Sequence, residues 1–203
     1  MIRCAAPELR RELLRIDRLD AALRERWVAS RFADRAAERD LEQLGRAALV
    51  WLYVVVEEHG WPGRALVGPR AASAAVRLVQ HAELDLAFRR RCLRLVRRAA
   101  VLGDLPWHHV AYLTDALRVC TGRKQVYGTK FHDRDGVLVP LPIEGAASVD
   151  QRRATLGLPP LEVSTRQIRR RLGWATAGRP GDRGLHGQPT TSVRRCFRPD
   201  RDR

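Results

Sequence analysis

The sequence predicts a mainly α fold: a helical bundle of about five helices, a small β-hairpin and a disordered basic C-terminal tail. Three observations carry that expectation. Apolar residues recur at helical spacing through most of the stretch from residue 8 to residue 121. The period then shortens on either side of Asp135-Gly136, a pair suited to a tight hairpin turn. Beyond Leu161 the periodicity fades, and residues 162–203 hold eleven arginines against four acids. Residues 1–161 are therefore expected to form one helical domain, with its hairpin near 124–140, and residues 162–203 a loose tail.

The first helix is expected over 8–28, with Leu9, Leu13, Ile16, Leu19 or Asp20, and Leu23 on one face. A second, over 35–59, has Leu41, Leu44, Ala48, Leu52, Val55 and Val56 as its inner stripe. Leu49, Val50, Trp51 and Val54 are apolar too, so its second half is expected to be covered on most sides. Gly60 suits the left-handed residue that ends a helix, and Pro62 bars continuation. The third helix runs from Pro69 to His81, where Ala72, Ala75, Val76 and Val79 let a neighbour approach closely.

Asp85 is placed to cap the next helix. Its apolar side is Phe88, Cys92, Leu95, Ala99 and Leu102; Arg89, Arg90, Arg91, Arg94, Arg97 and Arg98 take the rest, and Gly103 ends it. Asp104 is expected to cap a further helix, with Pro106 in its first turn and the seam Val110, Leu113, Leu117, Cys120. Residues 125–131 and 137–139 read as two short strands. Ser148 and Gln151 have the spacing of a capping box for a short helix ending at Gly157.

The net charge of +15 raises the question of a polyanionic partner. Lysine occurs only at 124 and 130, and so strong an arginine bias is what a GC-rich coding sequence produces with no selection for nucleic acid. The four cysteines are scattered without a C-x-x-C pair, which fits a reducing cytoplasmic setting. The longest apolar run, residues 47–56, is half of the roughly 20 residues a membrane span needs. A soluble cytoplasmic protein with no membrane partner is expected.

Several words of the sequence stand in a fixed order: His59-Gly-Trp-Pro-Gly63, Val79-Gln80-His81-Ala82, Ala111-Tyr-Leu-Thr-Asp115, Gln125-Val-Tyr-Gly-Thr129, Asp150-Gln-Arg-Arg153 and Leu156-Gly-Leu-Pro-Pro-Leu161. With residues 20–24 they resemble the bacterial domain-of-unknown-function family 6624. The resemblance implies a small, mainly helical intracellular domain and carries no activity to transfer. The family's pattern has Gln where Ala21, Arg89 and Lys130 stand here, and Arg where Ala116 follows Asp115. It offers no motif beyond Leu161.

If the helices alternate in direction, His59 and His81 belong to opposite ends of the bundle, since residues 69–81 rise roughly 18 Å. The His81 end collects the more useful groups. There His81 is the candidate acid/base, with Asp115 to orient it and Gln80, Gln125, Tyr127 and Thr129 to hold a polar ligand. That points to a hydrolase or transferase. The competing reading is structural: His81 caps a helix end and Tyr127 packs across the hairpin. His59 is a secondary candidate, equally explained by the helix dipole, and His108 and His109 are expected at the surface. A different class of function, a non-enzymatic module for nucleic acid or an acidic protein, would use Arg90, Arg94 and Arg97 together with the tail. It lacks the interleaved aromatic residues that stack on bases. No metal-ligand spacing, glycine-rich phosphate loop or G-x-S-x-G nucleophile motif occurs, so no metal or cofactor is expected.

Overall fold

A computed structural model describes residues 5–81, 85–134 and 137–173. The described chain contains eight α-helices, α1 (Pro7–Ala29), α2 (Arg35–His59), α3 (Arg64–Val67), α4 (Pro69–His81), α5 (Leu86–Val101), α6 (His108–Cys120), α7 (Val149–Thr155) and α8 (Leu161–Leu172). Strands β1 (Phe131–Arg134) and β2 (Val137–Pro140) pair antiparallel, with Phe131 opposite Pro140 and Arg134 opposite Val137. The chain divides into two compact units, Met1–Leu113 and Thr114–Arg203.

In the first unit α1 packs on α2 and α4, and α4 also packs on α3 and α5. The alanines explain how so many elements reach α4. Ala71, Ala72, Ala74 and Ala75 are all fully buried, so neighbouring backbones approach it without a bulky side chain between them. Leu13, Leu52, Val76, Val79, Cys92 and Val96 fill the spaces that remain. Each such aliphatic side chain contributes about 1.5–3 kcal/mol relative to exposure. The turn from α1 to α2 has a smaller cluster, where Trp27, Ala37 and Leu41 meet Phe32, the two rings edge-to-face at 4.9 Å.

Asp85 caps α5 as the sequence suggests, accepting from the Phe88 N–H at 2.9 Å. Asp104 does something different. Its carboxylate accepts from the Ala65 N–H at 3.0 Å and so covers the start of α3, which the periodicity did not reveal. A side-chain carbon on Gly63 would lie 1.6 Å from Asp104 Oδ2, so this close approach requires glycine. The second half of α2 is not covered on most sides, because Val50, Tyr53 and Val54 are exposed. The α5 stripe is also shifted: Arg89 is buried and Leu102 exposed.

The second unit is built around the loop that precedes β1. Residues 125–130, expected to be strand, form this loop instead, tied by a single parallel bridge from Gln125 to Ile143. Gly128 sits there at φ +68° with Leu161 Cδ1 2.8 Å from where a side chain would begin, so conformation and space both demand glycine. β2 packs on α8, and α7 packs on α8. Helix α8 corrects the expected start of the tail: Leu161–Leu172 is a helix, and Arg169 donates to the Leu138 carbonyl at 2.7 Å. The remainder of the tail from residue 174, like the Asp135-Gly136 turn, lies outside the described residues. The Ser148–Gln151 capping box does not form. Ser148 Oγ instead donates to the Gly145 carbonyl and accepts from Arg152.

No helix among the described residues is long and apolar enough to cross a membrane.

Candidate functional site

On α1 the apolar face Leu13, Ile16 is continued by Asp20, not by Leu19, which is exposed. A carboxylate on an inner face needs a partner, and α4 supplies one. Asp20 Oδ2 lies 2.9 Å from His81 Nδ1 and 2.9 Å from Arg24 Nε, one turn further along α1. Burial raises the Asp20 pKa, but the His81 hydrogen bond and charge, with the Arg24 guanidinium, outweigh it and hold the carboxyl at about 2. Arg24 Nε is also 3.0 Å from His81 Nδ1. Nδ1 accepts from Arg24 in one tautomer and donates to Asp20 in the other, while the Arg24–Asp20 bond stands in both.

One turn back along both helices, Arg77 clamps Asp17 with two bonds of 2.7 Å. Beside this pair the α1–α4 seam opens into a cleft of about 510 Å³. Farther along, Ser73 Oγ meets His109 Nε2 at 3.1 Å. His109 is buried, contrary to the surface position expected for it. Burial, then the neighbouring His108 and Arg77, lower its pKa to about 4, so it is neutral at pH 7.

The carboxylate beside His81 Nδ1 is that of Asp20. Asp115, fully buried, accepts from the backbone N–H groups of Val126 (2.7 Å), Tyr127 (3.1 Å) and Thr129 (3.0 Å), and from the Thr129 hydroxyl (3.0 Å). Gln125 is equally committed. Its amide donates to the Lys130 and Leu141 carbonyls and accepts from the Lys130 N–H. Buried Arg153 adds bonds to the Pro159 and Tyr127 carbonyls. These side chains hold loop backbone that has no ladder of its own.

Gln80 is half-buried, and its carboxamide has no side-chain hydrogen bond among the described residues. His59 is exposed at the end of α2, 3.6 Å from Glu58. On α5, Arg90, Arg94 and Arg97 are exposed, whereas Arg91 pairs with Glu57. Burial pushes the Cys92 thiol up to about 12, which rules it out as a nucleophile near neutral pH. Among the described residues no group of three or more His, Cys, Asp or Glu could hold a metal ion.

Sequence reasoning did not single out Asp20, Arg24, Asp17 and Arg77, which the structure pairs along α1 and α4 beside His81. A signal for the first existed: an acid standing at a core position of an apolar stripe.

No curated protein and no solved structure matches the chain. A family model does, and its reach past Leu161 takes in α8, beyond the last motif that the resemblance suggested. The match covers residues 7–175, and the chain belongs to DUF6624, a family of unknown function.

Proposed function

We propose that the first unit acts on a small polar molecule, with His81 as the acid/base and Asp20 as the carboxylate that orients it. The observation that carries this reading is the 2.9 Å contact between His81 Nδ1 and a buried Asp20 braced by Arg24. In the tautomer that carries its proton on Nδ1 the ring donates to Asp20, Arg24 Nε donates to the carboxylate alone, and proton traffic is left to Nε2. The negative charge also stabilises the imidazolium formed when the ring takes a proton. Gln80 adds a carboxamide able to donate and accept. In this reading Asp115, Gln125 and Thr129 serve the loop of the second unit. The reaction class is hydrolysis or group transfer.

The test compares the full chain with His81→Asn in a pool of small metabolites, following depletion by mass spectrometry. The wild-type chain should consume a compound that His81→Asn consumes at least about a hundredfold more slowly, with little change in melting temperature. Equal rates would overturn the assignment.

A second reading, binding of an acidic protein or nucleic acid, is favoured by one observation. Arg90, Arg94 and Arg97 are exposed at i, i+4, i+7 and have no ion-pair partner among the described residues. It requires an affinity that falls steeply with salt and weakens when these three are replaced.

A further inference from the structure

We propose that the cleft between α1 and α4 binds the phosphate group of a small phosphorylated molecule, gripped by Arg18 from one wall and Arg70 from the other. The inference adds a ligand class to the His81 reading but stands on different residues. At about 510 Å³ the cleft lies within the range of small-molecule sites and is larger than a lone phosphate needs.

Its charge is cationic. Arg18, Arg70 and Arg77 line it against a single acid, Asp17. The Asp17–Arg77 pair is bidentate, so those two charges largely cancel and tie the walls together. Arg18 and Arg70 have no hydrogen-bond or ion-pair partner among the described residues, and both are exposed. Their forks are thus left to an outside anion, one from each helix. A phosphate monoester offers the oxygens and the double charge that match two guanidinium groups.

Three further features agree. Pro69 and Arg70 are the first residues of α4, a helix of 13 residues whose positive end therefore opens on the cleft. Leu14 and Pro69 provide apolar wall for the organic part of the ligand. The Ser73 hydroxyl lies at the cleft with the buried, neutral His109 behind it, adding a hydrogen-bonding group without charge. The Asp17–Arg77 clamp sits one helical turn from Asp20 and His81, so a molecule anchored by its phosphate would extend along the seam toward the acid/base.

The experiment is calorimetric titration of the full chain at fixed ionic strength with glycerol 3-phosphate, inorganic phosphate, succinate and glycerol. Saturable binding of the monoester is expected, with glycerol inert and with inorganic phosphate and succinate at least about tenfold weaker. Arg18→Ala and Arg70→Ala should each weaken the monoester at least tenfold, while Arg98→Ala, at an exposed position of α5, leaves it unchanged. His81→Asn should retain the affinity, so failure of the acid/base reading and failure of the cleft are told apart. No saturable binding, equal affinity for inorganic phosphate or succinate, or an Arg98→Ala loss equal to that of Arg70→Ala would overturn the proposal. The exposed positions of Arg18 and Arg70 keep the fold out of the comparison, and unchanged melting of both variants checks it.

Discussion

The two units bury polar side chains for opposite purposes. In the second, Asp115, Gln125 and Arg153 are surrounded by backbone: N–H groups of 126, 127 and 129, carbonyls of 127, 130, 141 and 159. In the first, Asp20 and Asp17 bond chiefly to other ionisable side chains, His81 with Arg24 and Arg77. A buried polar group satisfied by main chain substitutes for a missing ladder, and its loss is a folding event. One satisfied by titratable side chains couples protons and charge, which is the raw material of chemistry. The difference separates scaffold from candidate site where residue identity alone does not.

The largest effect that would test this division is Asp115→Ala. It leaves three N–H groups and a hydroxyl without their acceptor in a fully buried place, and should cost about 3–5 kcal/mol in urea unfolding. Asp115→Asn keeps one acceptor oxygen and should fall between it and wild type. A cost below about 1 kcal/mol for Asp115→Ala would break the claim that this carboxylate holds the loop.

Asp20 comes next, and its signature is pH dependence. Its folded pKa of about 2 lies below the 3.8 of a free aspartate side chain. A depressed carboxyl pKa stabilises the native state above the unfolded value, and that stability is lost as pH falls through the folded one. The contribution is about 2 kcal/mol, present at pH 5 and gone near pH 2. Asp20→Asn should remove it and flatten that part of the stability profile. The same substitution should lower the His81 imidazole pKa, read by proton NMR, because the neighbouring negative charge is gone.

What the sequence disclosed follows from range. Helices α2 and α4 are legible to the residue, because their stripes repeat every few positions and Gly60 and Pro69 punctuate them. The existence of the hairpin, its second strand and the Asp85 cap are legible for the same local reason, whereas β1 begins where the first strand was expected to end. Helix α3 is four residues long, too short to show a period, and is held by an acid 39 residues away. In α8 only Thr165 is buried, so no apolar stripe marks it, and what fixes it includes Arg169 reaching a carbonyl 31 residues back. The hydrogen-bond partners of Asp115, 11 to 14 residues on, belong to a loop without periodicity and so were not legible. Asp20 was visible as an acid in a core stripe, but naming His81 as its partner required knowing that α1 and α4 are neighbours.

The smallest effect concerns a contact that is neither buried scaffold nor ion pair. A methyl group at Gly63 would displace the Asp104 carboxylate from the start of α3, removing the 3.0 Å bond to Ala65. The site is exposed, so losing this cap costs about 0.5–1 kcal/mol. Gly63 has φ −80°, which alanine adopts without strain, and Gly→Ala at such a position returns about 0.4–1 kcal/mol by narrowing the unfolded ensemble. Gly63→Ala should therefore be nearly neutral, and Asp104→Ala destabilising by the cap alone. The double variant should be more stable than Asp104→Ala by about 0.4–1 kcal/mol, since the clash no longer has an object. Additive losses in that cycle would mean that glycine is needed at 63 for some reason other than the carboxylate, and the contrast between an exposed cap and the buried acids would lose its third point.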